Sequence, residues 1–409
     1  MSAAGADQTV DIAIVGGGLA GASLAVALAE APLRLALIES AAPPAGQPAW
    51  DERCIALNDA SRRIFEACGV WQALRGAAAP ILATHISEQG RFGTARFAAA
   101  DAGLEALGYN VPLRAIGAAL LARLRAMPRL RLLQPARVEA LDCAGDTVRL
   151  SVRTAGTVQV LAARLVAAAD GADSSVRRLL GIGAERRDYG QQAIVSAVRL
   201  ARPHRGVAYE RFTPQGPVAL IPKPGDTASL VWSVPQEQAA RLLALDDAGY
   251  LAAVQQAFGG RLGNFLALGR RWAFPLARVM SERLVAPRVV LVGNAAQSLH
   301  PVAAQGFNLG LRDVAALAAQ VSGAADPGDS GLLSAYESSR LHDRGRAGGL
   351  TDLMVRAFSN RVPGLAQGRH WGLVAVDLLS PLRESVLRQH LGHFGLPGGV
   401  AGYSAKVSS

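Results

Sequence analysis

Residues 10–15, Val-Asp-Ile-Ala-Ile-Val, form a short apolar run that predicts a buried strand. Gly16-Gly17-Gly18-Leu19-Ala20-Gly21 follows, then a helix-like stretch over 22–31, then a second apolar run over 33–38 that ends in Glu39. Strand, glycine turn, helix, strand and acid make the first βαβ unit of a dinucleotide-binding sheet. A loop rich in Ala, Pro and Gly covers 41–49, and a helical pattern through Ile64, Phe65 and Cys68 stops at Gly69. Residues 80–106 read as short strands. Residues 111–125 read as a helix, with Leu113, Ile116, Leu120, Leu121 and Leu124 on one face and Arg114 in its first turn. Four short strands at 130–133, 137–141, 148–153 and 158–163 suggest a meander.

Two more apolar runs end in special turns. Residues 165–169 lead into Asp170-Gly171 and a short helix capped by Asp173 or Ser174. Residues 289–292 lead into Gly293-Asn294-Ala295-Ala296, a loop containing His300 and Pro301, and a long helix over 307–321. Between them the pattern is β-like, with strands at 193–200, 207–212, 218–222, 229–234 and 271–276 and one helix over 242–258.

The glycine spacing has physical reasons. Gly16 permits the tight turn, Gly18 lets the backbone approach a pyrophosphate, and Gly21 lets the helix pack close to the strand. The helix start then presents free N–H groups to phosphate. Glu39 stands where a carboxylate accepts from ribose hydroxyls, which favours FAD or NAD over NADP at this site. Gly306, with the N–H groups of Phe307 and Asn308, makes a second helix-start anion site. Arg53 reads either as a surface arginine or as a cation near the pyrophosphate. Asp170-Gly171 reads either as a turn or as a ligand site at a strand's carboxyl end. His300 is open to a structural or a general-base role, and no Ser/His/Asp set or metal-ligand cluster accompanies it.

Composition changes the picture in four places. The 409 residues are 50% hydrophobic, enough for a large core and two or three structural units. No stretch is long, apolar and uncharged enough to span a membrane, and residues 1–9 do not resemble a signal peptide. Cys54, Cys68 and Cys143 form no metal or redox spacing and fit a reducing cytoplasm. The net charge of +10 is carried by arginine, since Lys223 and Lys406 are the only lysines. No nucleic-acid motif accompanies it. Residues 340–409 hold nine basic and four acidic residues, a surplus of five.

Three ordered stretches together carry a family resemblance: the βαβ fingerprint with Glu39, the Asp170-Gly171 turn, and Gly293 to Asp313, reading GNAAQSLHPVAAQGFNLGLRD. The chain resembles the class A flavoprotein aromatic hydroxylases, which share the fold of p-hydroxybenzoate hydroxylase. The stretches ERCIALNDAS, GVW and FTPQGPVALIP are similar to the ubiquinone-biosynthesis branch, that of the 2-polyprenyl-6-methoxyphenol hydroxylases. Asn294 stands where most of the class has aspartate, Gln297 where a histidine is common, and Ala304 where glycine is usual.

The resemblance implies an α/β fold: a Rossmann-like FAD-binding domain with an inserted, mainly antiparallel β-sheet substrate domain and a C-terminal helical segment. The FAD-binding domain would span 1–72, 107–183 and 271–339, the β-sheet domain 73–106 and 184–270, and the helical region 340–409. It implies FAD contacts from Gly16, Gly18, Leu19, Ala20, Gly21, Glu39, Arg53, Arg114, Val138, Asp170, Gly171 and Asn294, with Pro301, Gly306, Phe307 and Asn308 lining the isoalloxazine. NADH or NADPH would act as transient reductant, and a flavin hydroperoxide would hydroxylate a polyprenyl phenol with dioxygen. No metal and no nucleic acid is implied. A related flavin-dependent reductase and a non-catalytic FAD-binding subunit remain the competing classes. A lipid-soluble substrate further implies a cytoplasmic protein lying on the inner face of the membrane, in association with other ubiquinone-biosynthesis proteins. The apolar residues of 371–387, flanked by Arg356, Arg361, Arg369, Arg383 and Arg388, are either a surface anchor or a packed helix.

Overall fold

The computed structural model describes residues 8–42, 53–91, 93–143, 145–299, 305–358 and 380–393. Among these, one sheet has a parallel centre in the order Val289–Leu291, Thr157–Ala168, Gln8–Val15, Leu35–Ile38, Leu130–Leu133. Its central strands are buried on both faces towards their carboxyl ends, which is why residues 12–15, 35–38 and 165–168 read as unbroken apolar runs. Because the five strands run the same way, Val15, Ile38, Ala168 and Leu291 all finish at one edge. The glycine turn, Glu39, Asp170 and Gly293 are thereby delivered to the same side, where open α/β sheets bind ligands. The helices Leu19–Ala27 and Gln305–Val321 pack together over one face.

Two strand expectations change here. Residues 158–163 and 165–169 are not separate strands but parts of one, Thr157–Ala168. Its first half pairs antiparallel with Val148–Thr154, while its second half pairs parallel with Gln8–Val15. Residues Leu130–Leu133 do not join a meander; they form the parallel edge beside Leu35–Ile38. Strand pairing is decided by distant partners, which local pattern does not reveal.

The second sheet runs Gln297–Ser298, Trp272–Ser281, Ala184–Leu200, Thr227–Pro235, Gly216–Pro222, Val207–Thr213, Ala83–Glu88, Thr94–Ala98. All its pairings are antiparallel except that of Val207–Thr213 with Ala83–Glu88. Leu220, Leu230, Trp232 and Ile194 on one face pack against Tyr250, Val254, Phe258 and Leu262. The helix expected over 242–258 is two, Gln236–Ala244 and Asp247–Phe258. Asp246 breaks it, because its carboxylate caps the second helix at the Gly249 N–H, 2.8 Å away.

The helix Ser330–Phe358 runs through position 340, and its Arg340 and Arg344 are buried. The helix Ser380–His390 docks on the second sheet, where Leu391, Val386 and Leu387 pack with Phe97, Ala95 and Leu107. Arg383 donates to Asp101 at 2.5 Å, and His393 meets Asp59 at 2.9 Å. The segment Ser380–His390 is therefore a packed helix; residues 371–379, with Arg361 and Arg369, lie outside the described residues. Among the described residues no helix is long and apolar enough to cross a membrane.

Candidate active site

The three fingerprint glycines do different work. Gly16 has φ +103°, and a Cβ there would sit 2.5 Å from the Ala169 carbonyl oxygen. A Cβ on Gly21 would lie 1.9 Å from the Gly16 carbonyl oxygen, so the helix touches the turn. Gly18 is different: its φ of −64° suits any residue, and a Cβ would meet no atom within 4 Å. The space it leaves is a cavity, and Gly18, Leu19 and Ala20 form one end of its wall.

Glu39 is half-buried beside this turn. Its two carboxylate oxygens accept from the Gly17 and Ala41 N–H groups, each at 2.6 Å. Each oxygen has a second lone pair for a ribose hydroxyl. Asp170 accepts through Oδ2 from the Ser175 N–H (2.7 Å), the Ser175 hydroxyl (2.9 Å) and the Val176 N–H (3.1 Å). Its Oδ1 is buried with no described partner, and so calls for a donor from a ligand. Gly171, with φ +90°, and Asn294, which is exposed, both line the cavity.

Gly306 and Phe307 also line it, at the first turn of Gln305–Val321. Asn308 does not: its side chain accepts from the Asn58 N–H at 3.1 Å and donates to the Ala56 carbonyl at 2.9 Å. It clamps the strand Cys54–Asn58 against the helix rather than facing a ring. Arg53 lines the cavity with its guanidinium over Phe274 (5.4 Å) and Trp272 (5.9 Å). Arg114 is exposed outside the cavity wall, and Val138 is a core residue of the first sheet. His300 and Pro301 lie outside the described residues.

Three residues to which the sequence reading gave no role, Arg177, Asp313 and Arg340, hold these loops together. Arg177 is buried and donates to the Ala172 carbonyl (2.7 Å) and the Ala295 carbonyl (2.8 Å), tying the Gly171 turn to the Gly293 turn. Asp313 accepts from the Gly293 N–H (3.0 Å), Gln297 Nε2 (2.6 Å) and Arg340 Nε (2.7 Å). Gly293 itself is pinched, since a Cβ would lie 2.9 Å from that of Ala20. The only sequence signal for this network was charge placed inside otherwise apolar helical patterns.

The cavity, about 650 Å³, lies between these loops and the second sheet. On the sheet side its wall is built from Ala193, Val195, Ala219, Val231, Phe274 and Leu276. Among the described lining residues a single acid, Glu210, interrupts it, and His390 closes it from the C-terminal helix; both are half-buried. Burial pushes the Glu210 carboxyl up to about 7 and the His390 imidazole down from its usual value.

A family model described as an FAD binding domain matches residues 9–347. The chain belongs to that family, the class A FAD-dependent aromatic monooxygenases, and the glycine turn, the orphaned Asp170 oxygen and the open space at Gly18 fit FAD. It is 40% identical over 392 residues to the ubiquinone hydroxylase UbiL of Rhodospirillum rubrum, covering 95% of this chain and 90% of that protein. It is 33% identical over 394 residues to the 3-demethoxyubiquinol 3-hydroxylase of Escherichia coli, covering 94% and 99%. Among solved structures, the p-nitrophenol 4-monooxygenase PnpA from Pseudomonas putida shares the fold, with a TM-score of 0.77 at 16% identity over 94% of this chain and 98% of that one.

Proposed function

We propose that the chain hydroxylates a polyprenyl phenol in ubiquinone biosynthesis, with NADH or NADPH as reductant and dioxygen as oxidant. The observation that supports this most is the apolar cavity joining the fingerprint loops to the second sheet. Such a space accepts an aromatic ring with an apolar tail and keeps water away from it. FAD, when bound, carries two electrons from the nicotinamide to dioxygen, so that one oxygen atom reaches the ring and the other leaves as water. The chain's own residues position the partners. Gly16, Gly18, Leu19, Ala20 and Gly21 receive the pyrophosphate, and Glu39 the adenosine ribose. Asn294 and Asp170 offer hydrogen bonds to the ribityl chain, Asn294 without charge. Gly306 and Phe307 present helix-start N–H groups that favour negative charge on a reduced ring.

Purified protein should hold about one FAD per chain, released by acid precipitation. A polyprenyl phenol should stimulate NAD(P)H oxidation and appear in mass spectra with one added oxygen. Oxidation that yields a reduced prenyl chain would assign a reductase, and absence of turnover would assign a binding subunit.

A polyprenyl phenol partitions into lipid, and we propose a reversible membrane contact through the arginine-rich residues of 340–409. Each basic residue near an anionic surface contributes about 1 kcal/mol. Arg383 is already committed to Asp101 and Arg340 and Arg344 are buried, which leaves Arg388, Arg361 and Arg369 beside the apolar residues of 371–379 as the contact. Full-length protein should float with anionic liposomes at low salt and be released at high salt. Protein that stays at the bottom of the gradient at every salt concentration would rule the contact out.

A further inference from the structure

Glu210 lies on the strand Val207–Thr213, opposite Ala219. Ala219 pairs with Val231, and Val231 with Val195, so one row crosses four strands on the cavity face. Three of its four members are small or aliphatic, and the fourth is an acid. No described residue donates a hydrogen bond to the Glu210 carboxylate, yet it faces the cavity rather than bulk water. Two buried polar side chains in and against the same sheet differ from it in being held by the backbone. Asn110 donates to the Pro222 carbonyl at 2.9 Å, and Thr213 to the Gly216 carbonyl at 2.7 Å. A lone carboxylate in an apolar chamber matches a ligand that is apolar apart from one hydroxyl donor.

We propose that Glu210 is a catalytic residue that accepts the phenolic proton of the substrate in this cavity. The inference rests on the reading that the substrate is a phenol. The substrate O–H bond breaks, its proton goes to a Glu210 carboxylate oxygen, and the electron pair stays on the ring oxygen. That pair makes the ring carbon ortho or para to it nucleophilic toward the oxygen atom derived from dioxygen. When the new C–O bond has formed, the ring carbon loses its hydrogen as a proton to the second oxygen of dioxygen, which leaves as water, and the ring oxygen takes the proton back from Glu210. Glu210 therefore ends each turnover ionised, as it began.

Burial alone raises its carboxyl to about 7, which matches a base that must take a proton and give it back near neutrality. The titratable and charged neighbours are Tyr209 and Arg211 on its own strand, His85 and Glu88 on Ala83–Glu88, and Arg53, Cys54 and His390 across the cavity. The strand Gly216–Pro222 contributes none. None of them offsets the burial of Glu210.

The decisive experiment uses the FAD-loaded full chain, Glu210→Gln and Glu210→Asp, with 2-prenylphenol as probe. In the unaltered protein kcat/KM should fall as pH drops through about 7, because Glu210 then carries a proton already. The ultraviolet difference spectrum of the bound probe should show phenolate above that pH. Glu210→Gln should lose about a hundredfold in kcat with little change in KM, lose the acidic limb, and show no bound phenolate. Glu210→Asp should keep the limb and the phenolate band. Folding is a separate readout: a raised acid loses stability as pH rises through its folded value, so Glu210→Gln should melt higher than the unaltered protein above pH 7. A glutamine variant that keeps the limb and the phenolate band would overturn the proposal. If the unaltered protein binds the probe as phenolate but forms no hydroxylated product, the proposed function fails while the role of Glu210 as proton acceptor stands.

Discussion

Gly18→Val should give a folded protein that no longer retains FAD. The backbone at Gly18 has φ −64° and ψ −177°, an extended conformation open to valine. A Cβ there meets nothing within 4 Å, so no protein atom must move. The added methyl groups instead enter the space at the helix start that a pyrophosphate needs. Loss of at least a hundredfold in FAD affinity is expected, about 2.7 kcal/mol. The neighbouring glycines supply the control. Valine at Gly21 would begin 1.9 Å from the Gly16 carbonyl oxygen, and valine at Gly16 would be forced to φ +103° against Ala169. Those two should fail to fold, whereas Gly18→Val keeps its far-ultraviolet circular dichroism and loses its yellow colour. A folded Gly18→Val protein with normal flavin content would remove the pyrophosphate from this turn.

The second large effect is expected at Asp313, which is 1% exposed. Its carboxylate joins three elements: the Gly293 turn, Gln297 and the helix of Arg340. Arg340 is 0% exposed and shares Asp343 with Arg312, at 2.6 Å and 2.7 Å respectively. Asp313→Asn keeps the shape and removes the charge, leaving two buried guanidinium groups on one carboxylate. Breaking such a pair by removing one partner destabilises by about 3–5 kcal/mol. The urea midpoint should fall with little change in slope, and FAD should dissociate faster because the Gly293 turn loses its anchor. A midpoint equal to that of the unaltered protein would show that the network carries no net stability.

Much of the dinucleotide half was legible because its physics is local. Parallel strands buried on both faces read as unbroken apolar runs, and each run ended in residues whose spacing has a steric reason, Gly16 to Gly21 above all. Glu39, Asp170 and Asn294 could be picked out one at a time from such ends. Their convergence at one edge follows once the strands are known to be parallel.

What stayed hidden depends on partners distant in sequence. Thr157–Ala168 reads as two strands because Arg164 interrupts its apolar run, yet it keeps one register along Gln8–Val15. Asn308 is near the expected ring site in sequence, but the strand Cys54–Asn58 supplies backbone groups that claim its amide first. Glu210 carried one faint signal, since it alternates in phase with the apolar Ala208 and Phe212. A charged side chain on a strand is ordinarily a solvated one. Only the closing of the second sheet over the nucleotide loops half-buries this one in an apolar cavity, and desolvation there raises its carboxyl to about 7. The sequence by itself thus determined the dinucleotide-binding fold, because backbone sterics and buried runs are written in consecutive residues, and the class of chemistry came from the family resemblance that its motifs carry. The composition of the chamber was decided by tertiary structure, because burial and dielectric are properties of what the folded chain encloses.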